Sequence, residues 1–289
     1  MGRSNQRKRF SAGKLLIYLI TSFWALTTLY PFIWVLLNSF KERRFIRSNS
    51  FSLPLGEAFT LDNYKVTFER FDIFPAYRNS IIISVSVMAV VIILAGLAAY
   101  ALARYRFPGK SIIQALILAS MMFPVFSTII PVFRMMYNWG IANTESVALS
   151  LLSVILPQIA GNLSFAIIVL RGFIQSLPID LEEAAYLEGC NIFGIFFRVI
   201  LPLARPSFAT VAIFSFLWSY NDLFTQLFFL RRKEAYSITL LLNKVNSQAG
   251  VNYGLLAAAV VLVVVPVVIV YIFLQKNIIK GMTAGAVKG

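Results

Sequence analysis

The hydrophobic residues of the chain fall into six long runs separated by polar segments. A membrane crossing needs about 20 apolar residues, because the hydrocarbon core of a bilayer is roughly 30 Å thick. The first run follows a basic stretch, as in a signal peptide, but it is too long and has no small-residue cleavage site, so we expect an uncleaved span. The pattern predicts an all-α polytopic fold with six transmembrane helices at 15–37, 80–103, 112–133, 147–170, 207–230 and 255–274.

The composition agrees with a membrane protein and argues against other classes. Of the 289 residues, 59% are hydrophobic and 13% are charged, too few charges to cover a soluble domain. Histidine is absent and Cys190 is the one cysteine, so the commonest metal ligand is missing and no internal disulfide can form. The net charge is +14. Basic residues at span ends set topology and meet headgroups, so we expect contact with membrane lipid and no nucleic acid.

Proline and glycine interrupt several of the predicted spans. Pro124 and Pro131 lie in the third, Pro157 and Gly161 in the fourth, and Pro266 in the sixth. Proline frees a backbone carbonyl, which is tolerated at membrane depth only where protein or a wet cavity satisfies it. Each residue alone is ordinary in a membrane helix. Together they predict broken spans around a moving translocation pathway.

The polar segments define the expected domain organisation. We expect a cytoplasmic N-terminus at 1–14, a transmembrane domain at 15–274 and a cytoplasmic tail at 275–289. The two longest loops are 38–79, expected outside the cell and long enough for a small folded excursion, and 171–206. With the N-terminus inside, fourteen basic residues lie inside and twelve outside, so the positive-inside rule alone does not decide the orientation. The basic N-terminal cluster favours the cytoplasm.

The segment LEEAAYLEGCNIFGIFFRVILPLARP, residues 181–206, is a polar interruption between two apolar runs. Asp180 is a predicted N-cap and Glu183 stands at N3, which is the pattern of a capping box. Gly189 can adopt a left-handed conformation and end the helix. The pattern predicts a two-turn helix at 181–188. Such a helix is marginal alone in water, so it must dock against another surface.

This segment resembles the EAA motif of bacterial ABC-importer permeases. Ala184 and Ala185 follow an acid and leave one face small, and a second helix is predicted at 191–200, before ILPLARP closes the motif. Glu188 stands where an aspartate is usual, and Cys190 where an alanine is usual. In that family the loop is a coupling helix that sits in a groove of the cytoplasmic ATPase. The resemblance implies an ATPase-coupling set of Glu182, Glu183, Ala184, Ala185, Glu188, Gly189 and Pro202.

Other stretches carry the resemblance over most of the chain from about residue 61. They are LDNYKVTF (61–68), YRNSIIIS (77–84), YALARYRFPGK (100–110), LRGFIQSLPIDLEEAA (170–185), YNDLF (220–224) and QKNIIKGMTAGAVKG (275–289). The last of these is similar to the C-terminus of maltose-type G permeases, which belong to the carbohydrate-importer branch. The chain is therefore identified as a member of that branch, with the ABC type I importer permease fold.

The resemblance also implies partners and a location. It implies a second homologous permease, two cytoplasmic ATPase subunits, an extracytoplasmic solute-binding protein and a sugar substrate. The expected location is the bacterial cell (inner) membrane, with both termini in the cytoplasm. No cofactor is expected on this chain, because ATP and Mg would be bound by the ATPase subunits. The chain itself is accordingly not expected to be an enzyme.

The loop at 104–111 contains a sequence that is similar to the end of a phosphate-binding loop. That sequence is PGKS, but Arg104 occupies the position of the first glycine that the motif requires, and a span precedes it in place of a strand. ATP binding there is excluded. Arg104, Arg106 and Lys110 are instead typical of contacts with lipid headgroups, with a neighbouring subunit as the alternative.

Six side chains in the predicted spans are candidates for the substrate pathway: Trp218, Tyr220, Asn221, Asp222, Gln158 and Asn162. Asp222 is the one carboxylate inside a predicted span, and such a charge usually faces a cavity or a partner. The rings and amides beside it suit a sugar. The alternative, which the residue types slightly favour, puts 218–222 at the outer interface and makes the other two amides packing contacts.

The predicted function is that of a permease subunit for a sugar or oligosaccharide, and other solutes stay open, namely a polyol or glycerol 3-phosphate. An ion-coupled secondary transporter would need several intramembrane acids or histidines, and the chain offers only Asp222. A membrane enzyme would need clustered histidines, cysteines or carboxylates at one membrane face. The only carboxylate cluster is at 180–188, without a nucleophile or a metal ligand beside it.

Overall fold

The protein is described by a computed structural model that covers residues 12–249 and 252–286. Within these residues extended pairing is limited to one bridge between Lys41 and Phe59, so the predicted all-α class is confirmed. The α-helices are α1 Ala12–Ser39, α2 Arg43–Ser48, α3 Asp62–Arg70, α4 Ile73–Arg104, α5 Lys110–Ser120, α6 Val125–Asn138, α7 Val147–Ser176, α8 Asp180–Leu187, α9 Ile192–Ile195, α10 Leu201–Leu203, α11 Arg205–Asn221, α12 Phe224–Phe229, α13 Ile238–Ala249 and α14 Tyr253–Ala286. Gly56–Ala58 and Lys233–Ala235 are 3-10 turns, and Phe196–Ile200 is a π-helix.

Three helices in the described part of the chain are long and apolar enough to cross a membrane. They are Gly13–Ser39, Ile73–Arg104 and Val147–Ser176. Ile192–Leu203 and Arg205–Asn221 form a fourth candidate, bent by 82°. The other apolar helices, Lys110–Ser120 and Tyr253–Ile269, are shorter. These helices suit a membrane protein, but they do not show the six separate spans that the sequence predicts.

Two of the predicted spans differ from the observed helices. The segment at 112–133 is divided between α5 and α6, and Pro124 before α6 has extended backbone angles (φ −66°, ψ 132°). The predicted interruption at Pro124 is therefore confirmed. The continuous span predicted at 207–230 is wrong, because α11 ends at Asn221 and Asp222 is extended (ψ 107°) before α12 begins.

The other predicted interruptions are wrong. Pro131 lies inside α6, Pro157 lies inside α7 and Pro266 lies inside α14, and each helix continues through its proline. Gly161 also lies within α7. A membrane helix can accommodate proline because neighbouring helices and small backbone adjustments satisfy the freed groups.

One compact unit comprises Phe71–Lys244 and Val263–Gly289, and α4, α7 and α11 pack together at its centre. The stripe that α4 contributes repeats every four residues and is fully buried: Ile83, Val87, Val91, Ala95 and Ala99. Residues four apart lie on one helix face, so the spacing accounts for the packed face. The short side chains at the end of the stripe let the helices approach closely, as is usual in membrane bundles.

Gly96 on α4 is required by this close approach. A Cβ atom there would lie 2.8 Å from Cε1 of Phe208 and 3.2 Å from Cζ of Phe196. Both rings are buried, so neither can move aside freely. We expect Gly96→Ala to lower the apparent melting temperature of the purified protein by roughly 3–10 °C, since overpacking costs about 1–3 kcal/mol. Gly172→Ala on α7 is the control, because a Cβ there meets nothing within 4 Å. Equal melting of the two variants would contradict the packing argument.

The other compact unit comprises Met1–Arg70 and Val245–Leu262. Within it the segment after α1 has its own hydrogen-bonded structure. The buried Nζ of Lys41 donates to the carbonyls of Asn49 (3.4 Å) and Ser50 (3.0 Å), and burial lowers the pKa of this amine. Asn63 Nδ2 donates to the carbonyls of Ser39 and Lys41. α4 begins at Ile73, so the expected loop at 38–79 ends earlier than predicted. Its location outside the cell stays a prediction.

Candidate functional site

The capping box predicted at the start of α8 is not formed. Ile179 has helical backbone angles (φ −70°, ψ −29°), and Asp180 is already the first residue of the helix. The carbonyl of Ile179 accepts from the N–H groups of Glu182 (2.8 Å) and Glu183 (3.1 Å). An N-cap residue needs non-helical angles, so Asp180 cannot be one here. The three acids nevertheless lie in the first turn, where the helix dipole favours negative charge.

The end of α8 is formed as the sequence predicts. Gly189 has φ +84°, in the left-handed region that favours glycine. Its N–H donates to the carbonyl of Tyr186 (2.9 Å), and the N–H of Cys190 donates to the carbonyl of Ala185 (3.0 Å). This pair of bonds is the Schellman arrangement, which satisfies the last carbonyls of a helix. The helix spans Asp180–Leu187, one residue earlier than predicted.

The second helix of the loop is more irregular than predicted. It starts at Ile192 as α9, widens into the π-helix and continues through Pro202 to the end of α10. Pro202 therefore does not stop it, since proline near the start of a helical segment lacks only an N–H that has no helical partner. The chain then bends by 82° at Ala204, which is fully buried, before α11. The bend, and not the proline, ends the loop.

The residues of the predicted coupling set face in different directions. Glu182 is only 8% exposed, whereas Glu183, Ala184, Glu188 and Gly189 are exposed. Ala185 is half-buried and packs against the core. The two neighbouring acids of the motif therefore lie in different environments.

Glu182 belongs to a buried polar cluster beneath α8. Its Oε1 accepts from Arg104 Nε at 2.5 Å and its Oε2 accepts from Tyr100 OH at 3.0 Å. Arg104 Nη2 also donates to the carbonyl of Leu177 at 2.9 Å. The Arg104 and Glu182 side chains are 11% and 10% exposed. The interpretation of Arg104 as a headgroup contact is therefore wrong, because its guanidinium is buried on a carboxylate within the chain.

The outer side of the loop is apolar and exposed. Tyr186 and Leu187, at the end of α8, are 69% and 87% exposed. Ile192, Phe193 and Phe197 in the following segment are exposed too. Apolar side chains clustered on a surface and flanked by acids are typical of a protein–protein contact. We call the exposed residues Glu183, Tyr186, Leu187 and Glu188 the docking face.

A cavity of about 760 Å³ lies beside α7 and α11. Four of the six predicted pathway residues line it: Gln158, Asn162, Trp218 and Asp222. Hydroxyl side chains contribute to the same wall: Ser120, Thr128, Ser164, Ser219 and Thr225. Asp222 is the only ionisable side chain among the described residues that line the cavity. The wall thus combines hydrogen-bonding groups with apolar surface, which is the composition of a small-molecule site.

The polar groups of this wall are joined by hydrogen bonds. Gln158 Nε2 donates to Asp222 Oδ2 at 2.8 Å, and Ser219 Oγ donates to Gln158 Oε1 at 2.5 Å. Asp222 Oδ1 accepts from the N–H of Thr225 at 3.1 Å, so the carboxylate also stabilises the start of α12. Asn162 Nδ2 donates to the carbonyl of Gln158 at 2.7 Å. Asn162 Oδ1 is buried and has no hydrogen-bond partner within the described structure.

The remaining two pathway predictions do not line the cavity. Tyr220 is buried in a separate apolar cluster with Ile73 and Ile238. Asn221 is exposed, and its Nδ2 donates to the carbonyl of Leu217 on its own helix. Both residues adjoin the motif in sequence, but α11 turns them away from the wall.

Sequence reasoning missed further polar residues behind the wall. Gln226 Nε2 donates to the carbonyl of Ser219 at 3.1 Å, and Gln226 Oε1 accepts from Ser237 Oγ. The N–H of Ile238 donates to Ser80 Oγ at 2.9 Å. The available signal in the sequence is the presence of single serine and glutamine residues within long apolar runs. That signal cannot say which of these residues meet.

Relatives with known names match nearly the whole chain. The diacetylchitobiose uptake system permease protein of Streptomyces coelicolor is 35% identical over 96% of this chain and 89% of its own length. The galactooligosaccharides transport system permease protein of Bacillus subtilis is 34% identical over 95% of each chain. The arabinooligosaccharides transport system permease protein of Bacillus subtilis is 31% identical over 97% of this chain and 98% of its own.

A solved structure has the same fold. It is a bacterial ABC transporter involved in the import of the acidic polysaccharide alginate, with a TM-score of 0.77 and 23% identity over 92% of this chain and 98% of that chain. Residues 90–284 match the family described as the binding-protein-dependent transport system inner membrane component. The predicted ABC-importer permease resemblance is confirmed, and the chain belongs to this family of transport-system membrane components.

Proposed function

We propose that this chain forms half of the translocation path of an ATP-driven importer for a neutral sugar or oligosaccharide. The observation that carries the proposal is the combination of an exposed docking face on α8 with a polar cavity beside α7 and α11. The first suits a contact with a motor subunit, and the second suits passage of a solute. The chain offers no ATP-binding motif of its own, so the energy must come from a partner.

The relatives and the cavity support a neutral sugar as the substrate. The named relatives serve diacetylchitobiose, galactooligosaccharides and arabinooligosaccharides. The described cavity wall carries the carboxylate of Asp222 and no lysine or arginine. A phosphate ester would meet a like charge there without a compensating cation, which costs free energy. A neutral polyhydroxylated solute fits this wall better than glycerol 3-phosphate.

We infer six membrane crossings, of which three long helices and one bent pair in the described part of the chain supply four. The two shorter apolar helices, Lys110–Ser120 and Tyr253–Ile269, are the proposed remaining crossings, the first together with α6. In this arrangement the loop that contains α8 lies in the cytoplasm with both termini, and the segment between α1 and α4 lies outside. This places the docking face on the side where ATP is available.

The proposed complex contains a second permease, two ATPase subunits and a solute-binding protein. Closure of the ATPase pair on ATP moves α8, and the helices packed on it change the side to which the cavity opens. This is a coupling between two distant sites through a two-state rearrangement. Gly189 supports it by fixing the end of α8, because φ +84° is strained for other residues.

Reconstitution of the complete importer tests the proposal. The tagged chain should co-purify with an ATPase and a second permease, and proteoliposomes should take up a labelled neutral oligosaccharide when ATP and the loaded binding protein are supplied. Glycerol 3-phosphate in tenfold excess should leave this uptake unchanged. A purified chain without a nucleotide-hydrolysing partner, or uptake that needs no ATP, would contradict the proposal.

A further inference from the structure

The two adjacent acids of the EAA motif have separate roles in the geometry of α8. Glu183 points to solvent, while the Glu182 carboxylate lies between Arg104 and Tyr100. Both of its oxygens have a donor from α4. The sequence groups the two acids as one ATPase-coupling set, yet the structure leaves only one of them accessible to a partner.

The contacts of Arg104 join three helices at one point. Arg104 is the last residue of α4, and its Nε holds Glu182 in the first turn of α8. Its Nη2 holds the carbonyl of Leu177, the residue that caps the C-terminus of α7. A cation at a helix C-terminus and an acid in a first helical turn are each favoured by the helix dipole. A charge-assisted bond at this depth is strong because water does not compete for it.

Tyr100 extends the connection to the helical segment that follows Gly189. Its hydroxyl donates to Glu182, and its ring lies 5.6 Å from the ring of Phe196, measured between centroids. Phe196 begins the π-helix, and its ring also packs near Phe208 on α11, with centroids 6.4 Å apart. One turn of α4 therefore contacts both the helix before Gly189 and the irregular segment after it.

We propose that Tyr100, Arg104 and Glu182 form a latch that makes α8 move as one body with α4, so that Glu182 is a positioning residue and not a contact with the ATPase. The inference rests on the proposed function and adds the route by which motion of α8 enters the bundle. α4 packs along both α7 and α11, which line the cavity. A rigid connection at the end of α4 therefore transmits a displacement of α8 to the cavity wall.

The assembled importer provides the test. We expect Glu182→Gln to keep ATPase co-purification within about twofold of the unmodified complex, because the docking face is intact. Uptake per ATP hydrolysed should fall about 10- to 100-fold, the range of ordinary coupling between sites. Tyr100→Phe keeps the ring on Phe196 and removes one donor, so uptake per ATP hydrolysed should fall less in this variant than in Glu182→Gln.

Two neighbouring variants are controls. Glu183→Gln, at the adjacent exposed acid, should instead reduce ATPase co-purification. Arg106→Gln, an exposed cation two residues beyond Arg104, should change none of these quantities.

A double variant separates positioning from mere stability. Glu182→Gln leaves Arg104 buried with a weaker partner, which can destabilise the protein, whereas an apolar pair often restores stability. We expect Arg104→Met with Glu182→Leu to recover thermal stability in detergent while uptake per ATP stays low. Recovery of uptake together with stability would overturn the latch, and so would loss of ATPase co-purification in Glu182→Gln. If the unmodified complex neither binds an ATPase nor transports, the proposed function itself fails, and the two failures are distinguishable.

Discussion

Leu187→Glu is expected to remove the ATPase from the purified complex while the permease stays in the membrane. Leu187 is 87% exposed at the last turn of α8, next to Tyr186 at 69%. Nothing in the described chain covers these two side chains, so their burial is available to a partner. A few central contacts of an interface are worth about 2 kcal/mol or more, and a charge buried in that place adds a desolvation cost. The amount of ATPase recovered with the permease should fall to less than about a tenth of that recovered with the unmodified chain.

The matched control is Leu55→Glu, which makes the same change at a similarly exposed leucine between α2 and α3. Leu55 is 71% exposed and lies in the segment that we place outside the cell. It should leave ATPase recovery unchanged. Equal losses in the two variants would contradict both the docking face and the proposed orientation. Normal ATPase recovery with Leu187→Glu would mean that α8 meets the motor by another face or not at all.

Local features of α8 could be predicted from the sequence to different degrees. The stop at Gly189 was predictable because a glycine between a helical run and another helix supplies the φ > 0 that a Schellman end needs. The cap at Asp180 was not, because it depends on the backbone angles of Ile179, which are already helical. A capping pattern gives the residue types but not the conformation of the residue before them.

Long-range contacts explain the other differences between sequence and structure. Glu182 and Arg104 are 78 residues apart, and Gln158 and Asp222 are 64 apart. Helical periodicity relates residues three or four apart and gives no information on these pairs. Pro157 and Pro266 were expected to break helices by a local rule, but packing in the bundle decides whether the helix continues. Motif resemblance points to whole segments, and only the fold separates their inward from their outward residues.

A second large effect, on uptake of the sugar, is expected from substitution of Asn162, whose side-chain oxygen has no hydrogen-bond partner in the described structure. Asn162 is 8% exposed and lines the cavity, and its Oδ1 has no partner in the described structure although its Nδ2 donates to the carbonyl of Gln158. A buried acceptor without a donor costs about 1–3 kcal/mol. A hydroxyl of a passing sugar can donate to it and recover part of that cost. Asn162 is thus the residue of the wall most ready to bind a neutral hydroxyl.

Asn162→Leu, which has a similar volume and no acceptor, should lower uptake of the oligosaccharide about 10-fold or more, the effect of losing roughly 1.4 kcal/mol. Assembly with the ATPase should be unchanged, and thermal stability should be equal or higher, since the unpaired oxygen is gone. Asn221→Leu is the control: the same substitution at an exposed amide that the sequence also suggested but that does not line the cavity. Uptake that falls equally in both variants, or in neither, would remove Asn162 from the pathway. A selective loss would instead show that a solute passes along the wall where α7 carries Gln158 and Asn162.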